Sequence, residues 1–88
     1  MDIKKNAVAG TSESSDCLVS IDKGNGKIDV EIDSVVINQY GDDIKKEVLE
    51  TLKKLDVTSA KVNVMDRGAL PHVLRARVEA AVCRAGEV

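Results

Sequence analysis

Alternating apolar positions mark the first regular element at Cys17, Val19 and Ile21, with Ser20 and Asp22 on the other side and Leu18 interrupting the polar row. A two-residue repeat puts every second side chain on one face, so this stretch predicts a strand with one buried side. The run Asp22-Lys23-Gly24-Asn25-Gly26 predicts a turn, because Gly and Asn tolerate positive φ. A cleaner alternation follows, with Ile28, Val30 and Ile32 inward and Lys27, Asp29, Glu31 and Asp33 outward. Two such runs across a turn read as an antiparallel hairpin with one wet face.

Near Val35 the period lengthens. Ile37, Tyr40, Ile44, Val48, Leu52 and Leu55 recur at three- and four-residue steps, which predicts an amphipathic helix, its start open between Ile37 and Asp42 because of Gly41. Asp42 and Asp43 lead and Lys53 and Lys54 trail, as the helix dipole favours. The remaining charges form a solvated face. Ala60, Val62 and Val64 then alternate with Lys61, Asn63 and Met65, a third strand. Asp66-Arg67-Gly68 turns the chain, Pro71 suits the first turn of a second helix, and Gly86 closes it. The apolar positions of that helix are Leu70, Val73, Leu74, Val78, Ala81 and Ala85.

The expected order is β-β-α-β-α, an α+β domain with a three-stranded sheet and two helices on one face. Residues 1–15 read as a flexible N-terminal leader and residues 16–88 as a single domain. A chain of 88 residues has room for one small core, and a deep catalytic cleft is hard to build in it.

Composition narrows the function. There is no Trp or Phe and a single Tyr, too few aromatics for a base-stacking platform. The net charge of −2 lacks the basic excess of a phosphate-backbone binder, so no nucleic acid is expected. No apolar run approaches the length that spans a membrane, and no signal-type apolar stretch follows Lys4 and Lys5. Cys17 and Cys83 are far apart and belong to no CxxC motif, and His72 is the single histidine, so no metal site is expected. A disulfide stays open, although two thiols without a signal peptide suit a reducing cytoplasm better. The expected localisation is cytoplasmic.

Catalytic apparatus is hard to find. His72 beside Pro71 reads as a surface or capping residue, since a general base needs a positioned nucleophile and an orienting partner. The Gly24-Asn25-Gly26 turn joins strand to strand, not strand to helix, so it is no phosphate loop. No catalytic residue is assigned. Arg77 stands out: at 100° per residue it falls inside the arc of Leu70, Val73, Leu74 and Ala81. A charge on an apolar face needs a partner. Either it snorkels to the sheet edge or pairs with a carboxylate such as Asp66, or it binds a phosphate or an acidic partner.

Two stretches resemble a known family. AVAGTSESSD (residues 7–16) and DRGALPHVLRARVEAAV (residues 66–82) are similar to the citrate lyase acyl carrier proteins, the gamma subunits of that complex. The D-x-G-A-L opening and the A-R-V-E-A run are the more specific part, and the resemblance spans nearly the whole chain. It implies a covalent prosthetic group, 2'-(5''-phosphoribosyl)-3'-dephospho-CoA, joined through a phosphodiester to the serine of AGT-x-E-S, which is Ser14 in this chain. Ser15 is the competing hydroxyl, with Thr11 and Ser12 behind it. The resemblance also implies a thiol-ended arm carrying acetyl or citryl as a thioester. It further implies an alpha subunit that exchanges the acyl group, a beta subunit that cleaves citryl to oxaloacetate, and a prosthetic-group transferase that installs the arm. The carrier would catalyse neither step. Helical-bundle carriers place their serine in Asp-Ser-Leu, which is absent here, so that fold is not expected. The other reading is a non-catalytic interaction or regulatory module that holds its partner through a sheet edge and Arg77 without a covalent cofactor.

Overall fold

The computed structural model describes residues 2–34 and 37–86, with side chains for 2–34 and 42–86. Ile37 and Tyr40, the expected head of the first helix's apolar stripe, lie outside the residues whose side chains are described. The elements are β1 (Ala7–Gly10), β2 (Cys17–Asp22), β3 (Ile28–Ser34), α1 (Ile37–Lys54), β4 (Ala60–Asp66) and α2 (Pro71–Gly86). They form a four-stranded sheet in the order β1-β2-β4-β3. β1 and β4 each run antiparallel to β2, and β3 runs parallel to β4.

The α+β class and the two helices stand, but the sheet differs from expectation in two ways. It has a fourth strand, and the strands expected to form a hairpin, β2 and β3, do not touch. β4 lies between them. The helix between β3 and β4 is the cause: a strand-helix-strand crossover returns the chain parallel to its starting strand. The Asp22–Lys27 connection instead bridges over the start of β4. There the Ala60 N–H donates to the Lys27 carbonyl at 3.1 Å and the Gly26 N–H to Ser59 Oγ at 3.0 Å.

Register builds the core row by row. Ala9, Val19, Val64 and Ile32 stand abreast, as do Ala7, Ile21, Val62 and Val30. Paired residues share a face, so one side of the sheet is apolar and both helices cover it. α1 supplies buried Val48 and Leu52, and α2 supplies Leu74, Val78, Ala81, Val82 and Ala85. α1 packs on β3, α2 on β1 and β2, and Arg75 Nη1 ties the two helices together at 2.8 Å from Glu47 Oε1. Leu70 departs from its expected place: it precedes Pro71 and is 60% exposed. Val82, absent from the expected stripe, is fully buried.

α1 includes Gly41 and ends in a Schellman arrangement. The Val57 N–H reaches the Leu52 carbonyl at 3.0 Å and the Asp56 N–H reaches Lys53 at 3.1 Å. Asp56 takes the left-handed position at φ 57, and the buried pair Leu52 and Val57 provides the accompanying apolar contact. Among the described residues, no helix is long and apolar enough to cross a membrane.

The leader expectation needs the largest correction. Ala7–Gly10 is an edge strand of the sheet, Ile3 is buried, and the Lys4 and Lys5 N–H groups donate to the Ala85 carbonyl at 2.8 and 3.1 Å. That carbonyl lies in the last turn of α2, where no intrahelical donor follows. A division between residues 15 and 16 would cut through the β1–β2 hairpin. Small residues suit β1 because α2 lies against it.

Both cysteines are free. Cys17 is fully buried and Cys83 exposed. Burial, with the carboxylates of Asp16 and Asp66 nearby, pushes the Cys17 thiol up to about 11. It is therefore neutral and shielded at physiological pH. Titration of the native chain with an aromatic disulfide reagent is expected to detect Cys83 alone, and both thiols once the chain is unfolded.

Candidate functional site

The candidate serines sit in the loop joining β1 to β2. The Thr11 N–H closes its base on the Cys17 carbonyl at 3.1 Å, and the Asp16 N–H bonds the Glu13 carbonyl at 3.2 Å. The second bond defines a β-turn with Ser14 and Ser15 as its central pair. Ser15 takes the left-handed position at φ 66. Its N–H donates to the Arg67 carbonyl at 2.8 Å, and the Arg67 N–H donates back to the Asp16 carbonyl at 2.9 Å. The turn is thus stitched to the end of β4, extending the β2–β4 ladder past its last pair, Cys17 with Asp66.

Ser14 and Ser15 are both exposed, but the fold treats them differently. Ser15's backbone is held in place, whereas no hydrogen bond to Ser14 is present among the described residues. Ser14 occupies the first corner of the turn, presented on a fixed frame. Thr11 and Ser12 are also exposed, but the Thr11 hydroxyl is committed: Oγ1 donates to Asp16 Oδ2 at 2.7 Å and accepts the Glu13 N–H at 3.2 Å.

Asp16 is the centre of the loop. Arg77 reaches across from α2 with both sides of its fork, Nε to Oδ1 at 3.1 Å and Nη2 to Oδ2 at 2.9 Å. The Cys17 N–H adds a bond to Oδ1 at 2.7 Å. Arg77 therefore has its carboxylate, but it is Asp16 and not Asp66. Buried Asp66 has other work: it accepts Ser34 Oγ at 2.9 Å and the Ala69 N–H at 3.0 Å, fixing the entry to α2. Sequence spacing could not pair Asp16 with Arg77, since they stand 61 residues apart. The available signal was a charge on an apolar face.

Arg77's hydrogen bonds, then those of Thr11 and the Cys17 N–H, hold the Asp16 carboxyl down at about 2, against an ordinary 3.8. A carboxyl depressed in the folded state stabilises above its unfolded pKa and loses that contribution as pH falls through its folded pKa. The pair is therefore complete above about pH 4 and lost toward pH 2. In urea melts, the wild-type midpoint is expected to fall across that window, and Asp16→Asn to lose part of the slope.

Other candidates contribute little. His72 is exposed on the first turn of α2. Among the described residues, no three or more His, Cys, Asp or Glu side chains are grouped to hold a metal. A groove of about 500 Å³ runs beside Ile44, Leu70 and Leu74. Asp43, Glu47 and Asp66 also line it, a sign of charge that disfavours carboxylate substrates.

Comparison with known proteins places the chain in a family. Residues 4–85 match the family model described as malonate decarboxylase delta subunit (MdcD). The chain is 49% identical to the citrate lyase acyl carrier protein of Clostridium perfringens, covering all of this chain and 88% of that one. Against the Pectobacterium atrosepticum protein of the same description, identity is 51%, covering 97% and 88%. Among solved structures, one chain of a Pseudomonas malonate decarboxylase hetero-tetramer, in complex with malonate, superposes with a TM-score of 0.81. Its sequence identity is 25%, covering 96% of this chain and 87% of that chain. These likenesses support an acyl carrier role and give none to a regulatory module without cofactor. The chain belongs to the family of citrate lyase acyl carrier proteins.

Proposed function

We propose that this chain is the non-catalytic carrier of a cytoplasmic citrate lyase and that Ser14 bears 2'-(5''-phosphoribosyl)-3'-dephospho-CoA through a phosphodiester. When bound, that group supplies a terminal thiol able to hold acetyl or citryl as a thioester. The proposed partners are the alpha subunit, which exchanges the acyl group, the beta subunit, which cleaves citryl, and the prosthetic-group transferase that loads the chain. The observation that carries this reading is Ser14 itself: an exposed hydroxyl at the corner of an anchored turn, inside the stretch AVAGTSESSD.

The chain's own residues fit such a tether. Ser14 is exposed, and the neighbouring Thr11 hydroxyl is already committed to Asp16 and the Glu13 N–H. Asp16, held as an anion at about 2, is too weak a base to take the Ser14 proton, so the proton must leave to a group on the transferase. Cys17, buried and neutral, offers no thiolate to intercept an acyl group meant for the arm. Tethering raises the local concentration of cargo at each partner site, and a fixed turn gives those sites a defined anchor. Intact-mass measurement on chain purified from its native host tests the proposal. A coenzyme-A-like mass increment is expected, absent from Ser14→Ala and retained in Ser15→Ala. An increment that survives Ser14→Ala moves the site, and active complex without any increment ends the proposal.

A further inference from the structure

Asp16 and Arg77 do more than balance charge. The Arg77 stem passes over Gly10, where a Cβ would lie 3.1 Å from Arg77 Cδ. From there the guanidinium takes both oxygens of Asp16. The same oxygens receive the Thr11 hydroxyl and the Cys17 N–H. One carboxylate thus joins α2, both ends of the loop and, through Thr11, the Glu13 N–H that opens the serine turn.

The pair is partly exposed, the Arg77 side chain 39% and the Asp16 side chain 15%. Its contribution to global stability is therefore modest. Its bidentate geometry does, however, favour the loop conformation in which these bonds are made. An enzyme that must bring a partner's hydroxyl in line with a reacting phosphorus gains from a loop already ordered. Displacement of about 1 Å at such a centre can cost on the order of a hundredfold in rate.

We infer that Asp16 and Arg77 are positioning residues for modification of Ser14: the clasp holds the turn in the form the prosthetic-group transferase engages. This rests on the reading of Ser14 as the attachment residue. Arg77 is assigned to the loop, not to direct contact with the arm.

The test uses full-length, unloaded chain with the prosthetic-group transferase and its activated phosphoribosyl-dephospho-CoA donor, following loading by intact mass well below the melting temperature. Arg77→Leu and Asp16→Asn are expected to lower kcat/KM for the carrier by about ten- to a hundredfold. Arg77→Lys, which keeps the charge without the fork, is expected to recover only part. Val48→Ala, a core change on α1 away from the loop, matches or exceeds their loss of stability and is expected to load like wild type. Arg77→Leu and Asp16→Asn both loading within twofold of wild type would overturn the inference, as would an equal loss in Val48→Ala. Ser14→Ala separates the two readings. Loading that survives it overturns the attachment residue, whereas loading abolished by it and untouched by the Arg77 and Asp16 variants overturns the clasp alone.

Discussion

Ser14→Ala is expected to reduce turnover of the assembled lyase to background, a loss of at least about a thousandfold, while leaving the carrier folded. The two halves of this result have separate causes. With the arm on Ser14, as proposed, turnover is lost because the acyl group then has no anchor. The Thr11 hydroxyl is committed by its hydrogen bonds, and the Ser15 backbone is pinned to Arg67. Stability is kept because the Ser14 side chain is exposed and holds nothing, and such surface changes stay within about 0.5 kcal/mol. That corresponds to a shift of no more than roughly 4 °C for a domain of this size. Ser15→Ala is the informative contrast. It keeps the proposed attachment residue, and because serine already carries a Cβ at the left-handed φ of 66, alanine adds little strain there, so near-native stability with retained turnover is expected. Melts paired with a coupled citrate cleavage assay check both.

Gly10→Ala is expected to be strongly destabilising, about 2–5 kcal/mol, or a drop of at least about 10 °C in melting temperature. Two independent demands meet at this glycine. Its φ of 98 lies where L side chains are strained, and a Cβ there would overlap the Cys17 carbonyl oxygen, the acceptor that closes the loop. Relief would require moving the β1 or β2 backbone, with the Arg77 stem giving way as well, which is expected to disturb the clasp. Loss of loading should therefore accompany loss of stability. Gly26 separates the two demands, because it has φ 87 with nothing within 4 Å of the added methyl. Gly26→Ala is expected to cost about 1 kcal/mol and leave loading intact. Thermal denaturation of the two variants side by side measures the difference.

How far the sequence reveals this fold depends on the element. β2, β4 and both helices are legible because their apolar positions contrast strongly with charged neighbours. β1 is not, since Ala7, Val8, Ala9 and Gly10 alternate without amplitude: even the outward residue is apolar, and the inward ones are small. Strand order is illegible for another reason. Alternation shows which face a strand buries but not how many neighbours it has. A hint lay in the acids Asp29, Glu31 and Asp33, a charged row of the kind that protects a sheet edge, and β3 is indeed an edge strand. In β4, by contrast, Ala60, Val62 and Val64 are all fully buried, as a central strand requires. The identity of the Ser14 stretch came from resemblance, whereas its geometry depends on Asp16 meeting Arg77 across the whole length of the domain. Periodicity flagged Arg77 as misplaced, and only the fold supplies its partner.

Covalent attachment at Ser14 can be read directly from a single peptide. Tryptic digestion of chain from its native host releases residues 6–23 as one peptide, bounded by Lys5 and Lys23 and containing every candidate hydroxyl of the loop. Fragmentation of that peptide by electron transfer, which spares labile side-chain esters, locates the added mass residue by residue. The mass is expected on Ser14. Its appearance on Ser15, Ser12 or Thr11, or an unmodified peptide from an active complex, would contradict the account.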